Sequence, residues 1–145
     1  MNSHNLNLAQ VAAFFIRITL GIVFIVAAYP KIEDPAAFAA IIYGYGIFPA
    51  EVINLAAIVV PFVEMVAGFG LIMRFYPRSS LFIINSLLGL FILIIGFNLA
   101  RGHSFDCGCF SVGGQGPVES AVFLLARDMA MLAAGMYAWK KTVWQ

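Results

Sequence analysis

Long apolar stretches separated by brief polar ones dominate the chain. Four runs, Ala9 to Tyr29, Glu51 to Met73, Leu81 to Ala100 and Val118 to Trp139, reach the roughly 20 mostly apolar residues that a helix needs to cross a hydrocarbon core about 30 Å thick. Each predicts a transmembrane helix. After the first run, Asp34 precedes Pro35, a good helix start because the carboxylate can cap free N–H groups and proline fits the first turn. Phe38, Ile41, Ile42 and Tyr45 then recur at helical spacing, which predicts a short amphipathic helix at the outer surface, ended near Gly44 to Pro49. Arg74 to Ser80 reads as a tight turn and Arg101 to Pro117 as a loop. The expected fold is all-α: an integral membrane four-helix bundle with a short external amphipathic helix between helices 1 and 2, in one domain over residues 1–145.

Composition narrows the functional classes. Of 145 residues, 63% are hydrophobic and 10% charged, with a mean hydropathy of +0.97, where a soluble domain carries about a quarter charged residues. A water-soluble monomer is excluded, and membrane lipid is the expected surrounding. The net charge of +1 leaves no electrostatic footprint for nucleic acid. The first run is too long for a signal-peptide core and no small-x-small cleavage site follows it, so it is expected to stay in the mature protein. Arg74, Arg78, Lys140 and Lys141 fall on the side of the termini, against Lys31 and Arg101 on the other. This bias predicts cytoplasmic termini in the inner membrane and a last loop facing the periplasm, where thiols can be oxidised. Ala130, Ala134 and Ala138, with Gly68, Gly89 and Gly96, are the expected points of close helix approach.

Ionisable groups interrupt three of the apolar runs: Arg17, Glu64, and the adjacent Arg127 and Asp128. At about 1.5 Å rise per residue, all four fall near one depth, roughly 12 to 17 Å from the cytoplasmic side. Their charges cancel, whereas any one alone would cost several kcal/mol there. Neighbours on a helix are about 100° apart, so Arg127 and Asp128 are expected to face different helices. The expected network joins Arg17 to Asp128 or Glu64 and Arg127 to the other acid. Such a set either fixes helix order or forms a polar floor beneath a cavity, able to hold a quinone head group or pass a proton. Pro61, three residues before Glu64, removes one helix hydrogen bond and is expected to bend the second span. Asn98, a turn from the outer end of the third, is placed to bond to the last loop.

That loop carries the most specific chemistry. Cys107 and Cys109 flank a single glycine, whose backbone freedom lets so short a link fold back on itself. The two Cα atoms can come within disulfide range in a small strained ring, and strain makes the bond easier to reduce. Arg101 and His103 favour thiolate, whereas Asp106 opposes it. Phe105 and Phe110 bracket the pair with rings suited to the membrane interface. Redox cycling is the first reading. Inert thiols and a zinc set of His103, Asp106, Cys107 and Cys109 are the others, the last cramped because a Cys-x-Cys pair lacks the usual gap; no metal is expected.

Taken together, Arg17-x-x-Leu20-Gly21, Lys31 with Asp34-Pro35, Pro61-x-x-Glu64, Phe105-Asp106-Cys107-Gly108-Cys109-Phe110 and Arg127-Asp128 resemble the methylamine utilisation protein MauE family, within the DoxX-like membrane proteins. The resemblance spans nearly the whole chain. It implies a four-helix membrane protein that supports maturation of disulfide-containing periplasmic proteins, methylamine dehydrogenase in the named family, beside a thioredoxin-like partner. DoxX-like relatives are associated with quinone-linked sulfur oxidation. The expected activity is therefore thiol–disulfide exchange through Cys107 and Cys109 with a periplasmic thioredoxin-like protein or disulfide-containing substrate. No cofactor is required, and quinone is the candidate electron carrier. The alternative is a non-enzymatic membrane scaffold or assembly chaperone.

Overall fold

A computed structural model describes the backbone of residues 3–101 and 121–143, with side chains for 8–101 and 122–141. It consists of α1 (Ser3–Glu33), α2 (Pro35–Gly44), α3 (Ala50–Ile72), α4 (Pro77–Ala100) and α5 (Ala121–Val143). Four of these, all but α2, are long and apolar enough to cross a membrane. Their outward faces remain apolar: Phe15, Leu55, Val66 and Leu93 are each more than 60% exposed. In water such a surface would aggregate; in lipid it is matched to its solvent. The all-helical expectation holds, including the short helix over the predicted stretch.

Each long helix turns one stripe inward, at alternating three- and four-residue steps. On α1 the stripe runs Arg17, Leu20, Phe24, Ala28 and Lys31; on α3, Ile53, Ala57, Pro61, Glu64, Gly68 and Leu71. Leu81, Ile84, Leu88, Ile95 and Asn98 continue it on α4, and Leu124, Asp128, Gly135 and Ala138 on α5. This near-3.5 period is the one that lets helices pack almost parallel over many turns. α1 packs chiefly on α3 and α4 on α5, while α1–α5 and α3–α4 contacts close the ring.

The closest crossing is between α1 and α3. A Cβ at Gly68 would stand 2.8 Å from the Gly21 carbonyl oxygen and 2.8 Å from Ile25 Cγ1, so the two backbones touch only because both positions are glycine. Gly89 and Gly96, also expected at contacts, face open space within 4 Å. The alanine seam on α5 is likewise rotated: Ala138 is buried, Ala134 half-buried and Ala130 exposed, because the inward stripe runs through Asp128 and Gly135 instead.

α2 begins as its sequence dictates, with Asp34 Oδ1 accepting from the Ala37 N–H at 2.9 Å and Pro35 in the first turn. It lays Phe38, Ile42 and Tyr45 onto Ile53 and Ala57 of α3, so it roofs one end of the bundle. The opposite end carries the α3–α4 turn, where Arg74 and Tyr76 adopt φ of 59° and 48°, a region that side chains other than glycine seldom visit.

Candidate functional site

The first span does not stop at Tyr29. α1 passes through Pro30 to Glu33, which places Lys31 one turn past Ala28 on the inward stripe. A lysine read as a loop residue is thereby a core residue. Its Nζ donates to both carboxylate oxygens of Glu64, at 3.0 and 2.9 Å, and each side chain is 2% exposed. The same ammonium lies 5.1 Å from the ring centre of Phe38 and 5.3 Å from that of Phe91. One carboxylate and two aromatic faces replace the water a lysine would otherwise hold.

Beside this pair, Arg127 donates from Nε and Nη2 to Asp128 Oδ1 at 3.2 and 3.1 Å. Adjacent residues were expected to look apart; the long arginine side chain curls back and reaches its neighbour's carboxylate. Asp128 is buried and close enough to Lys31 to feel its charge. Lys31, Glu64, Arg127 and Asp128 together line a small cavity of about 30 Å³, closed by Phe24, Leu88 and Met131 among others. That volume suits one or two water molecules with polar partners.

The neutral quartet thus exists, with Lys31 in the place expected for Arg17. Roughly four helical turns, about 21 Å, separate the two residues on α1. Because Gly21 lies against Gly68 and Ile72, Arg17 falls near the α3–α4 turn and out of reach of Glu64. The missed signal was present in the sequence, since Lys31 continues the stripe through Phe24 and Ala28; Pro30 concealed it by reading as a helix end.

A larger cavity, about 230 Å³, lies under α2 between α3 and α4. Phe38, Ile42, Ile53, Ala56 and Ile94 make its walls apolar, and Lys31 and Phe91 line both this cavity and the smaller one. The ammonium is therefore the partition between an apolar chamber and an ionic one. Its two described hydrogen bonds both go to Glu64.

Arg101 ends α4 on the exposed surface, its guanidinium 5.3 Å from the Phe97 ring centre. Asn98 is buried and its amide donates back to the Ile94 carbonyl at 3.0 Å. The predicted site residues His103, Asp106, Cys107 and Cys109 lie outside the described residues. Their segment joins Arg101 to Ala121, and Arg101 stands two turns beyond the Ile94 wall of the chamber.

The profile of the family described as "Methylamine utilisation protein MauE" matches residues 9–140. Among curated proteins, the chain is similar to the methylamine utilization protein MauE of Paracoccus denitrificans, 27% identical over 122 residues, covering 83% of this chain and 64% of that protein. The protein of the same name from Methylorubrum extorquens is 27% identical over 130 residues, covering 89% of this chain and 69% of its own. For Paracoccus versutus the figures are 27% over 124 residues, 85% and 66%. The chain thus spans about two thirds of the length of these relatives. No solved structure matches it significantly. With a matched stretch that runs from the first span to the end of the last, the chain belongs to the methylamine utilisation protein MauE family.

Proposed function

We propose that this protein is a membrane thiol–disulfide oxidoreductase that supports maturation of disulfide-containing proteins outside the cytoplasm. Cys107 and Cys109 exchange with a thioredoxin-like partner or directly with a substrate disulfide. The names of the relatives suggest a client in methylamine utilisation. The observation that carries the reading is the apolar chamber with Lys31 in its wall, at the end of the bundle from which the cysteine segment departs. At about 230 Å³ it is smaller than a drug-sized pocket, so it suits a single ring with its tail left in lipid. A quinone supplies, when bound, an acceptor for the two electrons and two protons released as two thiols become one disulfide. Lys31 would hold such a ring by a hydrogen bond to a carbonyl oxygen, Phe38 and Phe91 would offer it aromatic faces, and Ile42, Ile53 and Ile94 would exclude water. The same balance runs in reverse.

Two substitutions test this. Cys109→Ser in the full chain should accumulate a mixed disulfide between Cys107 and a periplasmic protein, released by reductant. Ala56→Phe, which fills the chamber at a position away from the ion cluster, should abolish reduction of a short-chain quinone by the dithiol form while the protein stays folded. No mixed disulfide, or full quinone reduction with the chamber filled, defeats the proposal. The scaffold reading draws on the neutral quartet and the glycine crossing, which order the helices without chemistry. It predicts full activity from the double Cys107→Ser, Cys109→Ser variant.

A further inference from the structure

Arg17 is the one member of the expected charge network that the quartet leaves out. Its side chain is 8% exposed, yet Nε and Nη2 are buried and no described group accepts a hydrogen bond from either. The Phe14 ring lies 5.4 Å from its guanidinium, and the charge of Arg74 that reaches it is of like sign. A desolvated guanidinium in that setting is costly unless an acceptor comes from elsewhere. Among the described residues no acidic side chain is placed to offer one: Glu33, Asp34 and Glu51 lie at the α2 end, and Glu64 and Asp128 are committed to Lys31 and Arg127. Arg74, Arg78, Lys140 and Lys141 share the end where Arg17 sits.

We propose that Arg17 is the core of a phosphate-binding site at the α3–α4 turn end of the bundle, taking the head-group phosphate of a membrane lipid. A planar fork of N–H donors matches phosphate oxygens in pairs. Phe15, Phe75 and Tyr76, all more than 60% exposed around this end, form the aromatic belt that marks the head-group level. A free phosphate would offer the same oxygens, so the experiment separates the two sources. The site owes nothing to the cysteines or to the chamber under α2.

The test uses the full chain in maltoside micelles and follows the thermal midpoint with added phosphatidylglycerol, a diacylglycerol of the same acyl chains, or inorganic phosphate. Phosphatidylglycerol should raise the midpoint and diacylglycerol should not. Inorganic phosphate alone giving the full shift would keep the site and assign it to the free anion. Arg17→Met should lose the shift, and without additives it should melt above the wild type, because a buried unpaired charge is gone. The double variant Lys140→Gln, Lys141→Gln should keep the shift, which separates the site from general surface charge. If Arg17→Met fails to fold, Arg17→Lys carries the test: it keeps the charge, loses the fork and should bind phosphatidylglycerol roughly tenfold more weakly. A wild type that responds to no phosphate, or Arg17 variants that respond as the wild type does, overturns the proposal.

Discussion

Removing Lys31 should cost more than removing its partner, and removing both should cost less than either. At about 3 Å, two unit charges attract by roughly 5 to 6 kcal/mol at an effective dielectric of 20, and that attraction offsets the loss of hydration of two nearly inaccessible side chains. Breaking such a pair from one side leaves a buried charge exposed to an apolar interior, a loss of about 3–5 kcal/mol. The two single variants differ in what remains. Glu64→Gln leaves Lys31 with the rings of Phe38 and Phe91 and the nearby Asp128, and glutamine can still accept a hydrogen bond. Lys31→Met leaves Glu64 beside Asp128 with only Arg127 to serve both. Lys31→Met should therefore fall at the upper end of that range and Glu64→Gln at the lower. The double variant Lys31→Met, Glu64→Gln removes both charges at nearly constant volume and should lie within about 1–2 kcal/mol of the wild type. Reversible unfolding of the purified protein in mixed micelles, titrated with a denaturing detergent, measures all three. A double variant as unstable as the two singles added together would show that Lys31 and Glu64 do not act as a pair, and the quartet would lose its physical basis.

Other substitutions probe the packing that holds this site. Gly68→Ala drives a methyl group into the Gly21 carbonyl and Ile25, and should lower stability by about 1–3 kcal/mol, whereas Gly89→Ala meets nothing and should be neutral or raise it by up to about 1 kcal/mol; the same unfolding assay distinguishes them. Gly135→Ala would collide with the Asn85 amide, whose buried Nδ2 and Oδ1 meet no hydrogen-bond partner among the described residues, so adding Asn85→Ala should restore most of the thermal midpoint. Asp34→Ala removes the cap of α2 at a cost of about 1 kcal/mol, and faster amide exchange over Pro35–Gly44 should reveal it.

Much of this architecture was legible because a membrane imposes a length and a polarity on every span. The four apolar runs, the Asp34-Pro35 helix start and the inward placement of Glu64 and Asp128 all follow from that constraint. Depth was less legible. The position of Arg17 was measured from the expected edge of its own helix, but the level of a residue in a bundle is set by register against its neighbours. Here the Gly21–Gly68 contact fixes that register. The same crossing brings Lys31, and not Arg17, within side-chain reach of Glu64. The Arg127–Asp128 contact was misjudged for another reason: the 100° rule describes Cβ directions, and an arginine is long enough to bend around its own helix.

Lys31 belongs both to the structure of the bundle and to the chamber under α2, so its loss cannot by itself separate catalysis from assembly. Residues that touch only one of the two cavities can. Ala56 and Ile94 line the chamber and not the ionic cavity, while Asp128 and Met131 do the reverse. A protein that merely scaffolds has no use for empty volume, and filling it with Ala56→Phe should add buried contact, raise the unfolding midpoint and leave activity intact. A protein that holds a ring there should gain the same stability and lose its turnover. The two readings make the same prediction for the fold and opposite ones for function, which is why the chamber, rather than the ion cluster, decides between them.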